Sequence, residues 1–185
     1  MNHELPEEIT TERLLLRCAK PGDGKVLNDA VVESIQELKP WMDWATPTPS
    51  LVDSEVTCRR AYSRFLLSEE LMMLIFLRAQ SRLVGVTGFH LVNWKLRQFE
   101  IGYWGRTADN GSGFITEAVR ALSDHALVHL EAVRVYIRAD DQNLRSQRVA
   151  QRAGFLYEGT LRNHQRNPAG QLRDVRMYSR IPALK

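Results

Sequence analysis

Three groupings in this chain have the residue types and spacing for chemistry. The first is Asn110-Gly111-Ser112-Gly113-Phe114-Ile115, a glycine-bearing loop that runs directly into an amphipathic helix. Gly111 and Gly113 let the backbone turn without a Cβ penalty and approach a ligand closely. The first free N–H groups of the following helix point at the same spot and favour negative charge, so the loop reads as a phosphate cradle. Two nucleotide motifs are excluded, because a P-loop requires Lys-Ser/Thr after its second glycine and a dinucleotide fingerprint requires a third glycine. Phe114, Ile115 and Thr116 supply neither. The second grouping is Asn143 with Ser146, where Asn143 caps a helix and Ser146 places a hydroxyl one turn later; Gly154 is placed to end that helix in a left-handed conformation. The third is His125 and His129, four apart on a helix as zinc ligands can be. Neither a His-Glu-x-x-His pattern nor a third ligand accompanies them, and no metal is expected.

The elements that must position these groups follow from periodicity and punctuation. Ile115, Ala118, Val119, Leu122, Ala126 and Leu130 form one stripe at three- and four-residue spacing, which predicts a helix behind the loop. Before it, Thr11–Arg17 reads as an opening strand, Asp23 as an N-cap and Gly24–Gln36 as a helix. Pro40, Pro47 and Pro49 break regular structure around Trp41, Met42 and Trp44, which either close the core from outside or wall an acceptor pocket. Ser50 and Asp53 offer caps for a helix to Ser68, with Val52, Val56, Ala61, Phe65 and Leu66 on one side. Met72–Arg78 and Leu83–Val92 read as an antiparallel hairpin, Phe99–Trp104 as the next strand, Val133–Ala139 as a strand after the central helix, and Leu144–Ala153 as a helix. Phe155–Arg166 and Gln171–Arg180 bracket the turn Asn167-Pro-Ala-Gly170 and predict a terminal hairpin.

At 185 residues, 44% hydrophobic and 25% charged, the chain has the material for one ordinary domain with a real core. No apolar run reaches the ~18 residues of a membrane span, and Met1–Glu12 is acidic without a signal-peptide core; the expected location is the cytoplasm. Cys18 and Cys58 lack Cys-x-x-Cys spacing and read as buried small hydrophobes. The net charge is +3, with ten arginines from Arg134 to Arg180 against Asp140, Asp141, Glu158 and Asp174. That basic third reads as solvated arginine or as attraction for a polyphosphate ligand. It carries no nucleic-acid motif.

The loop resembles the acyl-CoA pyrophosphate loop of the GNAT superfamily of N-acetyltransferases, Gln/Arg-x-x-Gly-x-Gly/Ala, with Asn110 at the Gln/Arg position and Ile115 at the last small position. Asn143-Leu-Arg-Ser146-Gln-Arg-Val149 through Arg152-Ala-Gly154-Phe155 to Glu158-Gly159 is similar to a second segment of that superfamily, Asn-x-x-Ser-x-x-Val followed by Arg/Lys-x-Gly-Phe and Glu-Gly. With the Glu100-Ile-Gly-Tyr-Trp104 entry, the pair resembles the branch of ribosomal-protein serine and alanine N-terminal acetyltransferases, over Thr10 to Ser179. The resemblance implies one α/β (α+β) domain over 1–185, core about 10–180. Its mixed, mostly antiparallel twisted sheet would have about seven strands flanked by helices and a splayed strand pair at the cofactor site.

It also implies acetyl-CoA as co-substrate, no metal, and an amine acceptor, foremost a ribosomal-protein N-terminus; no membrane or direct nucleic-acid partner is expected, and a homodimer is a compatible assembly. Cofactor contacts fall on Tyr103, Trp104, Arg106, Asn110, Gly111, Ser112, Gly113, Phe114, Ile115, Thr116, Asn143 and Ser146. Acetyl transfer needs a neutral amine and a proton for the departing thiolate: Glu100 is the candidate base, directly or through water, with His90 the alternative, and Ser146 the candidate acid. Asn143 either caps only or caps and also meets the pantetheine amide. Arg106 either reaches a phosphate or is solvated, and helix-dipole stabilisation accounts for Glu117. A small-molecule amine such as a polyamine or aminoglycoside is the alternative acceptor, and a non-catalytic acyl-CoA-binding module the alternative class.

Overall fold

The computed structural model describes residues 4–182; Met1–His3 of the acidic N-terminal stretch and Ala183–Lys185 lie outside the described residues. The chain opens with a hairpin where one strand was expected over Thr11–Arg17. β1 (Glu8–Thr10) pairs antiparallel with β2 (Leu14–Cys18). The turn closes because the Thr11 N–H donates to the Leu14 carbonyl at 2.9 Å while the Thr11 hydroxyl accepts the Leu14 N–H at 3.0 Å. Among the described residues the sheet therefore has eight strands rather than about seven.

Helix α1 (Gly24–Leu38) starts after Asp23, but that residue does not cap it. Its carboxylate takes two hydrogen bonds from the Arg17 guanidinium at 2.7 Å and one from the Lys20 N–H at 2.8 Å, since a bidentate cation is a stronger partner than a helix N–H. Helix α2 (Leu51–Leu66) begins with the capping box Ser50/Asp53. Its buried line differs from the one expected: Val52, Val56 and Leu66 are exposed, while Ser54 and Cys58 are buried and Ala61 and Phe65 pack against core residues. Small residues win that face because α1 comes so close that a Cβ on Gly24 would lie 2.6 Å from Glu55 Cα. Both cysteines are buried and unpaired, and burial pushes their thiols up to about 12.

Next come β3 (Leu71–Leu77), β4 (Arg82–Asn93) and β5 (Gln98–Gly105), an antiparallel meander as read from the sequence. The central helix α3 (Phe114–Val128) buries Ala118, Val119, Leu122 and Ala126. It leads to β6 (Arg134–Asp140), α4 (Leu144–Arg152) and the terminal hairpin β7 (Leu156–Arg166) and β8 (Leu172–Arg180). Strand order is β1-β2-β3-β4-β5-β6-β8-β7, so the last strand inserts beside β6 and leaves β7 at an exposed edge.

Two cores cover the two faces. Phe99, Ile101 and Val135 face α3 and α4, whereas Leu74, Phe76, Leu83 and Val86 face α1 and α2. Among the described residues the one parallel pairing is β5 with β6, and it holds for only Gln98, Phe99 and Glu100 against Arg134, Val135 and Tyr136. Phe99 anchors this short junction, with ring centroids 5.1 Å from Phe89 and 5.2 Å, edge-on, from Trp94, contacts worth about 0.5–1.5 kcal/mol each beyond area burial.

Candidate active site

From Ile101 onward β5 keeps β4 on one side and, among the described residues, has no strand on the other, because β6 diverges towards β8. Strand backbone facing such a gap needs partners, and an amide-bearing chain can supply them as an added strand would. Side-chain alternation along β5 divides the gap into two faces. Tyr103 packs on the α3/α4 side and Trp104 on the α1/α2 side; Glu100 and Gly102 share the face of Trp104.

At one end of the gap lies the glycine loop. Gly111 and Gly113 take φ of +84° and +79°, left-handed values that cost another residue about 1–2 kcal/mol. Gly113 is the N-cap of α3 and no side chain caps the helix. The first intrahelical bond runs from Glu117 N–H to Gly113 O at 3.0 Å, leaving the N–H groups of Phe114, Ile115 and Thr116 ahead of it. Helix α1 fixes the preceding segment. Arg106 donates to Glu33 at 2.8 Å, Thr107 N–H to the Ser34 hydroxyl at 3.0 Å, and Asn110 to Glu37 at 2.9 Å. Arg106 thus lies against α1 rather than at the α3 N-terminus, and it holds the Glu33 carboxyl below the usual range. On the other side Arg13 donates to the Ser112 carbonyl at 3.2 Å and to Glu117 at 2.7 Å, with its guanidinium 4.7 Å over the Phe114 ring. Burial opposes the Glu117 charge, but Thr11 and Arg13 outweigh it and keep that carboxyl low.

Ile115 fills a notch. A Cβ on Gly85 would lie 2.6 Å from its Cδ1, and one on Gly105 2.9 Å from its Cγ1. Two glycines therefore make room for the bulky residue at the last small position of the motif, and Ile115 packs on the core.

Across the gap, Asn143 Oδ1 accepts the Ser146 N–H at 3.0 Å and caps α4, while Gly154 at φ +92° follows its C-terminal end. Tyr103 and Ser146 meet there. The Tyr103 hydroxyl donates to the Ser146 carbonyl at 2.7 Å, and the Ser146 hydroxyl donates to Tyr103 Oη at 3.1 Å. Burial pushes the Tyr103 phenol up, so it keeps its proton at neutral pH. On the opposite face Glu100 is buried at the fork: Oε1 accepts from Arg138 Nε at 2.8 Å, whereas Oε2 is buried with no hydrogen-bond partner. Trp104 stands nearby with its ring 6.2 Å from Trp44. Met42 packs on the core, as the first reading of the proline-rich loop expected, while Trp44 is exposed.

The Acetyltransferase (GNAT) domain family matches residues 13–156. The chain is a GNAT acetyltransferase. It is 31% identical over 148 residues, 77% of this chain and 80% of the other, to the ribosomal-protein-serine acetyltransferase of Escherichia coli (strain K12). Its fold matches that of RimL, a ribosomal L7/L12 alpha-N-protein acetyltransferase in complex with coenzyme A, with a TM-score of 0.88, 26% identity and coverage of 95% and 98% of the two chains. The microcin C7 self-immunity acetyltransferase MccE, in complex with acetyl-CoA and AMP, shares the fold at a TM-score of 0.87 and 20% identity, over 96% and 98%.

Two features of the GNAT site fit acetyl-CoA on their own geometry, a β5 edge without a strand neighbour among the described residues and uncapped N–H groups at α3; the open groove beside Gly113 mixes Arg13, Arg120 and Arg152 with Glu12, Glu117 and Asp124. Sequence reasoning missed Arg13, Arg138, Glu33 and Glu37. Period-2 spacing groups Arg134, Tyr136 and Arg138 on one face, but the register that sets Glu100 opposite Tyr136 is a tertiary fact. The His125 and His129 rings lie 4.7 Å apart, tilted by 40°; burial and then His129 keep His125 low, and among the described residues no group of three potential ligands forms. No described helix is long and apolar enough to cross a membrane.

Proposed function

We propose that this GNAT N-acetyltransferase acetylates α-amino groups at protein N-termini, with Ser or Ala first, in the manner of the ribosomal-protein branch and hence in the cytoplasm. The observation that carries this reading is the open character of the acceptor face. Helices α1 and α2 pack on β3 and β4, while β7 beyond the gap is exposed along nearly its whole length. A polypeptide end can lie along such a face, whereas small-molecule sites are concave and enclosing. The E. coli relative and the RimL structure, both named for ribosomal-protein acetylation, support the same choice.

Acetyl-CoA supplies the acetyl thioester. The uncapped N–H groups of α3 receive its phosphates, the edge of β5 pairs with its amide chain, and Asn143 adds a side-chain contact while capping α4. Ser146, with Tyr103 behind it, gives a proton to the departing sulfur. From the opposite face the free oxygen of Glu100 takes an N–H of the acceptor, directly or through water. The amine itself decides how much help is needed: an α-amino group has a pKa near ~8 and lysine near ~10.4, a difference of about 2.4 units or roughly 3 kcal/mol. The former is within reach of a modest base such as a carboxylate or an imidazole. The test offers Ser- and Ala-initiated peptides, lysine peptides and small amines with acetyl-CoA, and locates the mass gain by fragmentation. The expected product is the Nα-acetyl peptide; transfer to lysine or small amines with those peptides untouched would overturn the N-terminal assignment.

A further inference from the structure

The β4–β5 ladder contains an irregularity directly beside the fork. Phe89 pairs with Ile101 and Leu91 with Glu100, so His90 is an extra residue with no partner. A bulge of this kind re-aims a side chain and is over-represented next to active sites. Here it sends the imidazole across the neighbouring strand. A Cβ on Gly102 would lie 2.0 Å from His90 Nε2 and 2.1 Å from Cδ2, so the ring occupies the space that any other residue at 102 would fill. Gly102 lies on the Glu100 and Trp104 face, on the strand that borders the gap. The other ring nitrogen faces a carboxylate: Nδ1 is 3.5 Å from Glu70 Oε1, and Glu70 is itself held by Arg64. The His90 side chain is 58% exposed and Glu70 22%, so an acceptor can reach the imidazole but displaces its carboxylate less easily.

We propose that His90 takes the acceptor's proton, with Glu70 as its positioning residue, an inference that rests on the gap being the acetyl-CoA site. Glu100 is poorly suited to that duty, because protonating it would neutralise the partner of Arg138. With Glu70 receiving Nδ1–H, the lone pair lies on Nε2, the nitrogen over Gly102. As the amine nitrogen bonds to the acetyl carbonyl carbon, its proton passes to Nε2. The carbon–sulfur bond breaks with its electron pair on sulfur, which Ser146 protonates from the far face; solvent then returns both residues to their starting states. Glu100 holds the amine and His90 removes its proton.

The experiment measures turnover by thiol release on the best acceptor of the amine panel. His90→Ala is expected to lower kcat about a hundredfold, within the range for a general base, with KM for acetyl-CoA within about threefold, and added imidazole should restore at least tenfold. Gly102→Ala should reproduce the kcat loss in a protein that still melts cooperatively, and Glu70→Ala should lower kcat about tenfold with KM unchanged. In the protein alone, nitrogen–proton NMR of the imidazole should show the Nδ1–H tautomer in wild type and its loss in Glu70→Ala. An active wild type whose His90→Ala variant keeps kcat within threefold overturns the inference while leaving the site reading intact, as does an Nε2–H tautomer. A wild type that transfers to no amine overturns the site reading and the inference together.

Discussion

Gly113→Asp tests the phosphate cradle most directly, because its effects on folding and binding separate. The backbone at this position has φ +79°, so any L-residue pays about 1–2 kcal/mol of left-handed strain. For a chain of this size that is a melting drop of roughly 2–8 °C. A new Cβ meets no clash, since the nearest atom to it is Arg13 Nη2 at 3.6 Å. The charge matters more. A carboxylate about 5 Å from a phosphate at an effective dielectric of about 20 is repelled by roughly 3 kcal/mol, or about two decades in affinity, and it competes for the N–H groups that the phosphate would use. Arg13 offsets part of this, so the expected loss in acetyl-CoA affinity is ten- to a hundredfold. Titration calorimetry against acetyl-CoA, with Gly113→Ala as the strain-only control, reads the difference. A folded Gly113→Asp protein that binds acetyl-CoA as wild type does would refute the placement of the pyrophosphate.

Ser146→Ala should lower kcat about ten- to a hundredfold, the low end of acid–base contributions, and Tyr103→Phe should lower it less because Ser146 remains; stopped-flow thiol release checks both. Glu100→Gln should raise KM for a Ser-initiated peptide about tenfold without changing acetyl-CoA affinity, as read by steady-state kinetics and calorimetry. Glu158 is held down to about 2, first by its hydrogen bond from Arg134 and then by Ser179, so its contribution to stability is present above the ordinary carboxylate range and is lost as pH falls through about 2. Melting of Glu158→Gln should show a deficit of at most about 1 kcal/mol at pH 7, as befits a partly exposed pair, and none in strong acid. Gly105→Ala should destabilise by overpacking against Ile115, about 1–3 kcal/mol, and Ile115→Ala should relieve it. The double variant is then more stable than additivity predicts by about 1–2 kcal/mol, and additive denaturation midpoints would remove the notch.

Local signals were readable where one element decides its own geometry. The α3 stripe, the Ser50/Asp53 capping box, the Asn143 cap and the Asn167–Gly170 turn all depend on residues within a few positions of each other. Asp23 failed as a cap because Arg17, on the preceding strand β2, competed for its carboxylate. The buried line of α2 was misjudged because hydrophobicity favours valine, whereas close approach of α1 selects Ser54 and Cys58. At the site, the loop and Ser146 were legible as types in a pattern. Arg138 beside Glu100 and the bulge at His90 depend on strand register, which no local spacing encodes.

This division has a structural origin. The groups proposed for phosphate and sulfur lie on loop-to-helix junctions, where a glycine with positive φ or an Asn cap is demanded by the backbone itself and leaves a mark in the sequence. The groups proposed to meet the amine lie on strand faces, where alternation says only which side a residue takes. Tyr103 and Trp104 are neighbours in sequence and pack on opposite faces, so the pleat of β5 separates the proposed sulfur and amine sides by a single residue step. On the proposed amine side Trp104 meets Trp44 of the proline-rich loop, while the glycine loop is held separately by α1 and Arg13. The two surroundings rest on different partners, so one can vary while the other is kept, as one fold serving many acceptors requires.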